Sequence, residues 1–347
     1  MNRKFFLLVV LSALLAVSLA ACATAAAPAE GGAPAAEGGV PAICPTLDPA
    51  ACEGAGLVVP FEEAWAGSGH ADAAAEAFVH WNEDDPAEVP VECAKCHSTT
   101  GAQDFQGADG SAAGVVDAAV PVGEVVACVA CHNDATVGLT SVTFPSGATF
   151  DDAGSSAVCM QCHSGNASTV QVNEAIAGQD LDTVNAELGF INIHYFSAAA
   201  TLYGGDAMGG YQYDGKSYMG RFDHVEGYQS CADCHNTHTL EVKVEECAGC
   251  HEGVTAETLT DIRMNGSLRD YDGDGNVEEG IYYEIEGLRD VLYAGIQAYA
   301  ADVAGAPIAY DVASYPYFFN DTNANGTADP DEANFGNKYA SWTPRLL

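Results

Sequence analysis

Cys231-Ala232-Asp233-Cys234-His235-Asn236-Thr237-His238, followed closely by Cys247-Ala248-Gly249-Cys250-His251, is the stretch on which the fold turns. Cys-x-x-Cys-His is the attachment signature of c-type haem. The two thiols become thioethers to the former vinyl groups, and the adjacent imidazole ligates the iron from one face. Working outward, the same pentapeptide stands at Cys93-Ala94-Lys95-Cys96-His97, Cys128-Val129-Ala130-Cys131-His132 and Cys159-Met160-Gln161-Cys162-His163. A single copy is compatible with a zinc half-site. Five copies, each with His in the fifth place, predict five covalently bound haems with proximal ligands His97, His132, His163, His235 and His251.

The chain holds ten histidines, and the motifs account for half. The others are His70, His80, His194, His224 and His238. An iron that relays electrons rather than binding a substrate needs a sixth ligand, and neutral imidazole is the usual choice. One spare His per motif predicts bis-His ligation throughout, with a surface or hydrogen-bonding role as the alternative for each. His238 shares a helical turn with His235, so the two cannot readily face one iron from opposite sides, and His238 is expected to reach a neighbouring haem. The short spacing from Cys231 to Cys247 predicts that those two haems are neighbours. His194, in Asn192-Ile193-His194-Tyr195-Phe196, and His224, after Arg221-Phe222-Asp223, sit beside aromatic rings suited to haem faces. His70 and His80 precede the first motif and flank an expected helix from Ala71 to Phe78. Met208 and Met219 are alternative ligands that would raise a haem's potential.

The first residues read as an export signal: Asn2-Arg3-Lys4 is positive, and Phe5 to Ala16 is apolar but short for a membrane span. The run closes on Leu19-Ala20-Ala21-Cys22, which resembles the lipobox of bacterial lipoproteins. On that resemblance residues 1–22 are a signal peptide and Cys22 is lipidated, anchoring the protein at a membrane face without crossing it. Residues 23–57 form a flexible Ala/Pro/Gly tether. It contains Cys44 and Cys52, read as a local disulfide, with a metal pair or free thiols as alternatives. A net charge of −38, from 49 acidic and 11 basic residues, excludes nucleic acid as a partner.

Residues 58–258 are expected to form a pentahaem domain of short helices at the motifs, extensive loop and little sheet, with the porphyrins supplying the core. Within it a helix is expected at Thr183 to Leu188, and a hairpin from Tyr211 to Tyr218 turning at Asp214-Gly215. Residues 259–347 differ in character. Asp321-Thr322-Asn323-Ala324-Asn325-Gly326-Thr327, closed by Glu332, fits a calcium loop, with Asp321, Asn323, Asn325, Thr327 and Glu332 as ligands. Asp270, Asp272, Asp274, Asn276 and Glu278 begin the same pattern, but its twelfth place is Ile281, so Glu278 or Glu279 would have to close the shell. An acidic turn that binds nothing is the alternative for both. Tyr282 to Val303 carries apolar residues at helical spacing and predicts a structural helix with Leu292 and Ile296 in its core. The apolar end, Trp342 to Leu347, is compatible with a fragment of a longer protein.

The five motifs, the spare histidines and the Tyr/Gly-rich insert make residues 65 to 258 resemble bacterial multihaem cytochromes c, closest to lipoprotein and extracellular cytochromes of anaerobic respiration. The fold class is then mainly α with extensive loop around a haem core, plus a small C-terminal helical calcium-loop region. The resemblance implies low-potential bis-His haems relaying electrons at the cell envelope to redox partner proteins or extracellular acceptors. Acidic calcium loops are not a general feature of such proteins. Three other functions compete. A nitrite- or hydroxylamine-type oxidoreductase needs an open iron, often marked by an altered motif, and all five motifs here keep their His. A conductive filament needs self-association, with His70 or His80 ligating a haem of another copy. A calcium-dependent docking module explains the tail but not the haem motifs.

Overall fold

With 37 glycines and 14 prolines, the chain has frequent backbone breaks, and its elements are correspondingly short. The computed structural model describes residues 58–263 and 266–347. The expected signal peptide and tether, with Cys22, Cys44 and Cys52, lie outside them. The described residues fall into two compact units: Phe61–Val244 with Thr255–Leu347, and Glu245–Val254 with residues 58–60. The C-terminal part therefore belongs to the unit that holds the first four haem motifs, where the sequence suggested a boundary after residue 258.

In the larger unit, helices α1 (Glu62–Ala66) and α2 (Glu76–Val79) precede the first motif. The motif itself lies in α3 (Val91–His97), which packs on α4 (Thr99–Gln106). The close approach requires Gly101, where a Cβ would lie 2.3 Å from the Ala94 carbonyl oxygen. Strands β1 (Glu88–Val89) and β2 (Val120–Pro121) pair antiparallel beside them. There follow α5 (Cys128–Cys131), the β3–β4 hairpin (Val142–Thr143 with Thr149–Phe150), α6 (Ala157–Met160), α7 (Thr169–Ile176), α8 (Ala198–Tyr203) and α9 (Cys231–Cys234). Helix α10 (Val244–Cys247) leads into the fifth motif. Each Cys-x-x-Cys segment thus starts on or ends a short helix, as expected, and sheet is confined to two-stranded pairs among the described residues.

Three local expectations fail in whole or in part. Residues 183–188 form turns rather than a helix. The Asp180 and Asn185 side chains accept from the backbone N–H groups of Asp182 and Glu187, at 3.1 and 2.9 Å, and so offer the chain an alternative to helical bonds. Around Asp214-Gly215 the turn is present, closed by Lys216 N–H to Tyr213 O at 3.2 Å, but no strand ladder follows. Near His70 the helix is shorter than expected: turns occupy residues 70–75 and only Glu76–Val79 is helical.

The C-terminal part contributes α11 (Ile281–Tyr299), which runs on into a π-helical turn (Ala300–Ala304), and the antiparallel pair β5–β6 (Ile308–Tyr310 with Phe318–Asn320). Their core is Ala300, Ile308, Tyr339 and Trp342, with Leu188 and Phe190 of the haem region packed on it. The Trp342 carbonyl accepts from Asn185 N–H at 2.9 Å. Ile296 joins this core, but Leu292 is 63% exposed, contrary to expectation. The helix turns the face bearing Ile285, Leu288 and Leu292 away from the β5–β6 pair. No helix among the described residues is long and apolar enough to cross a membrane.

Candidate metal centres

The motif spacing has a direct structural cause. One helical turn begins at the first Cys, and the His N–H donates back to that residue's carbonyl. The distances are 2.8 Å for His132 to Cys128, 3.1 Å for His163 to Cys159, 2.9 Å for His235 to Cys231 and 2.8 Å for His251 to Cys247. Residues three and four apart on a turn share a face, so both sulfurs and the imidazole converge on one side.

Backbone carbonyls then orient two of the rings. Nδ1 of His97 lies 2.9 Å from Ala77 O, and Nδ1 of His235 lies 3.0 Å from Leu240 O. A carbonyl only accepts, so each Nδ1 carries the proton and each Nε2 keeps its lone pair for a metal. Leu240 adopts a left-handed backbone, φ 66°, to place that carbonyl.

Three spare histidines stand opposite motif histidines, and all three pairs have ring centroids 6.2 Å apart: His97 with His194, His132 with His238, and His163 with His70. Two imidazoles bound to one metal from opposite sides, with bonds of about 2 Å, have centroids roughly 6 Å apart. Direct ring contact is shorter: Phe61 stacks on His238 at 4.5 Å and 10°, whereas His132 and His238, tilted by only 6°, are held apart. The residues therefore fit a hexacoordinate haem iron at three motifs. Desolvation is the main cause that lowers the pKa of His70, His97 and His163, which keeps these rings neutral and able to ligate.

His194 takes a left-handed backbone, φ 60°, held by its N–H donating to Asn192 Oδ1 at 3.0 Å. Strain of this kind in a non-glycine residue is tolerated where function over-determines the position. His194 also lines a cavity of about 390 Å³ with Tyr195, Tyr211, Tyr218 and Met219. Phe61 is strained as well, φ 63°, and it braces His238. No sequence pattern marks Phe61.

His80 makes no ring contact with a motif histidine among the described residues. Its ring packs edge-on to Trp81 and Tyr315, and its Nδ1 meets Glu76 Oε1 at 2.8 Å. Trp81 in turn meets His97 edge-on at 5.2 Å. His224 lies exposed in the segment after Phe222, and His251 belongs to the smaller unit.

The thiols of different motifs also meet. Cys96 Sγ donates to Cys162 O at 3.7 Å and Cys162 Sγ donates to Lys95 O at 3.5 Å, which brings the two thiols together. That contact brings the Cys96 thiol down to about 7 and raises Cys162. The neighbouring Cys159 thiol lowers that of Cys231, to about 6. Ser156 Oγ accepts from Cys231 N–H at 3.0 Å and joins the two segments. All these cysteines are free thiols, so both pairs remain available for thioether chemistry.

In the C-terminal loops the acidic side chains first order their own backbone. Asp321 accepts from Asn325 N–H at 3.1 Å and Gly326 N–H at 2.8 Å, Asn325 accepts from Thr327 N–H at 2.8 Å, and Glu332 accepts from Thr322 N–H at 2.7 Å. Asn323 accepts from Asn325 N–H at 3.0 Å. Asp321 and Glu332 are both buried, and Gly326 makes the sharp turn at φ 85°. In the other loop Asp270 accepts from Gly273 and Gly275, and Asn276 accepts from Glu278 N–H. Two acidic groupings form there, Asp270–Asp272–Glu284 and Asp272–Asp274–Glu279. Glu278 lies in neither. Glu284, fully buried on α11 and paired with Arg263 at 2.6 Å, lies beyond the loop pattern that directs attention to Glu278.

The C-type polyheme cytochrome OmcC of Geobacter sulfurreducens is 30% identical over 324 residues, which cover 79% of this chain and 39% of that protein. The C-type polyheme cytochrome OmcB of the same species is 28% identical over 335 residues, which cover 78% of this chain and 40% of that protein. The chain thus spans about two fifths of the length of these relatives. No family model and no solved structure matches it.

Proposed function

We propose that this chain is a multihaem c-type cytochrome that relays electrons and performs no catalytic step of its own. The polyheme cytochromes it resembles support that class and an electron-transfer role. The observation that carries the reading is the set of three imidazole pairs at one separation, 6.2 Å, each joining a motif histidine to one from a distant segment. Covalently bound haem would supply one-electron Fe(III)/Fe(II) chemistry. The chain contributes two thioether sulfurs per motif, a proximal imidazole oriented through Nδ1, and a distal imidazole that closes the iron to substrates. In this reading all five motifs carry haem. His80 and His224 are the remaining distal candidates.

Export and a lipid anchor at Cys22 would place the protein at the cell envelope, where redox proteins or extracellular acceptors are its partners. Calcium at the Asp321–Glu332 loop, and at the Asp270–Asp274 loop closed by Glu279 or Glu284, would order the C-terminal part.

The test is mass spectrometry with low-temperature EPR of the oxidised holoprotein. Five haems per chain with only low-spin iron are expected. His194→Ala, His238→Ala and His70→Ala should each convert one haem to high spin. A stoichiometric high-spin signal in the unaltered protein, perturbed by nitrite or hydroxylamine, would overturn the reading in favour of an enzyme.

A further inference from the structure

Helix α1 has five residues, and none of them is buried. A helix so short is not stable alone, so contacts outside it must hold it. Trp65 supplies the anchor. Its indole N–H donates to the Val126 carbonyl at 2.9 Å. The N–H of the same Val126 donates to the His70 carbonyl at 3.1 Å. Both backbone groups of one residue, two places before the second motif, are thus taken by the segment from Trp65 to His70. Within that segment Ser68 N–H donates to Trp65 O at 2.9 Å and Ala71 N–H donates to Ser68 O at 3.1 Å, so the chain between the two grips is folded into turns.

Val126 is itself fixed from the other side. Thr99 Oγ1, at the start of α4, donates to Val125 O at 2.5 Å and accepts from Ala127 N–H at 2.9 Å. The Glu124 carboxylate accepts from the N–H and the hydroxyl of Thr100 at 2.8 and 2.6 Å. Val126 is therefore the firm point, and α1 with its following turn is the part being placed. Both ends of that part reach a distal imidazole. Phe61, whose carbonyl accepts from Trp65 N–H at 2.9 Å, stacks on His238, which stands opposite His132. His70 stands opposite His163.

Resting on the multihaem reading above, we propose that Trp65 is a positioning residue for two haem sites at once. By anchoring α1 to Val126 it fixes His70, the distal imidazole of the third site, and through Phe61 it fixes His238, that of the second. Hydrogen bonds outside the ligand shell orient metal-bound rings, and here one indole bond serves two rings from different segments. The angle between two axial imidazole planes sets the spacing of the iron d orbitals, and so the EPR g values of a low-spin haem. The planes meet at 6° for His132 with His238, 33° for His163 with His70 and 45° for His97 with His194, which gives each site its own signal. The last pair takes no ligand from the clamped segment and is the internal reference.

Oxidised holoprotein carrying Trp65→Phe or Trp65→Gln tests the assignment. Phenylalanine keeps an aromatic ring and loses the donor. Glutamine loses the ring, but its Nε2 stands as many bonds from Cα as the indole nitrogen and can donate to the same carbonyl. Haem content is confirmed by mass, and each signal is assigned by its loss in His70→Ala, His238→Ala or His194→Ala. Trp65→Phe should shift the largest g value of the His132–His238 and His163–His70 haems and leave the His97–His194 haem in place. Trp65→Gln should keep all three at their original positions. A shift in one haem alone, an equal shift in all three, or a lower melting temperature with unmoved g values overturns the proposal. So does the reverse pattern, in which glutamine shifts the signals and phenylalanine does not, because ring packing would then be what holds α1. If Trp65→Phe fails to retain its haems, 3-benzothienylalanine at position 65 replaces the N–H by sulfur in a ring of nearly the same shape, with the same outcomes expected. Fewer than three low-spin signals in the unaltered protein would instead overturn the multihaem reading, and this proposal with it.

Discussion

Residues 61–244 and 255–347 share one compact unit but build their interiors differently. In the haem-motif region the apolar interior consists of two small clusters. One is Trp81, Val89, Ala94, Val116 and Val120, and the other centres on Val142, Phe144, Met160, Tyr203 and alanines. Large apolar side chains are left outside them: Phe196 is 83% exposed, Met219 75% and Phe222 61%, all in the segment that carries His194 and His224. In the C-terminal region Phe319, Ile308, Tyr339 and Trp342 are buried against protein. The first region places its side chains to meet cofactors and one another's metal ligands. The second places them to meet one another. In the proposed reading, an interior completed by covalent haem would explain why a segment rich in Gly and Ala holds eight cysteines and nine of the ten histidines, yet only modest apolar clusters.

The largest effect should come from the conventional core. Trp342 is buried, donates its indole N–H to Tyr339 O at 3.0 Å and meets Tyr339 and Phe318 edge-on. Trp342→Ala should cost about 3–5 kcal/mol, the usual range for a large aromatic in a packed interior. Urea unfolding read by near-UV circular dichroism measures it. The Soret transition should stay at its original urea concentration, because in the proposed reading thioethers and paired imidazoles, rather than Trp342, would hold the haems. Coincident displacement of both signals would break the comparison and make the two interiors one cooperative body.

In the haem region one of the closest contacts is backbone on backbone. Gly101→Ala gains the helix propensity of alanine, about 1 kcal/mol, but its Cβ would fall 2.3 Å from Ala94 O and 2.7 Å from Ala94 Cβ. Overpacking of that kind costs roughly 1–3 kcal/mol. Because Ala94 lies inside the first motif, the displacement should also perturb the haem of His97 and His194. A lowered urea midpoint together with a changed low-spin EPR signal is expected, and an unchanged or raised midpoint would show that α3 and α4 can separate without cost.

A smaller effect is expected from acid, and it should separate the two regions by pH. Burial acts to raise the Glu284 pKa. The N–H groups of Tyr271 and Asp272 and the Arg263 guanidinium outweigh it and hold the carboxyl below its ordinary 4.5. A depressed carboxyl contributes stability that is present above the unfolded value and is lost as pH falls through the folded one. Near-UV circular dichroism of the C-terminal region should therefore be constant above pH 4.5 and decline below it. Glu284→Gln should flatten that decline. A decline beginning well above 4.5 would place the responsible group elsewhere.

The haem motifs were legible because their chemistry needs adjacent residues on a single helical turn. The spare histidines were legible as a set, but their partners were not: His70 with His163, His97 with His194 and His132 with His238 join segments that only the folded backbone brings together. His238 stands opposite His132, a residue of another motif. The expected helix at Thr183–Leu188 was misread because Asp180 and Asn185 compete for backbone donors, a local contest that apolar spacing ignores. Leu292 obeyed the helical pattern without finding a partner, since periodicity identifies a face and not what covers it. Glu284 escaped because it sits on the helix after the loop, outside the motif's span.

Phe61 sharpens the comparison at the smallest scale. In the C-terminal region an aromatic ring stabilises by packing on other apolar groups. Phe61 is 64% exposed and stacks instead on the outer face of His238, from a backbone at φ 63° that glycine would adopt without strain. Phe61→Ala loses the ring contact, worth about 1 kcal/mol, and keeps the strained backbone. Phe61→Gly loses the same contact and relieves the strain, so it should be the more stable of the two variants. If the ring acts by orienting the distal imidazole, both variants should change the low-spin EPR g values of one haem alike, despite their different melting temperatures. If the ring only covers surface, the g values should stay at their original positions while the melting temperatures still differ. Because the two variants separate orientation from stability at one residue, they test whether an aromatic side chain in this region serves the metal site or merely the fold.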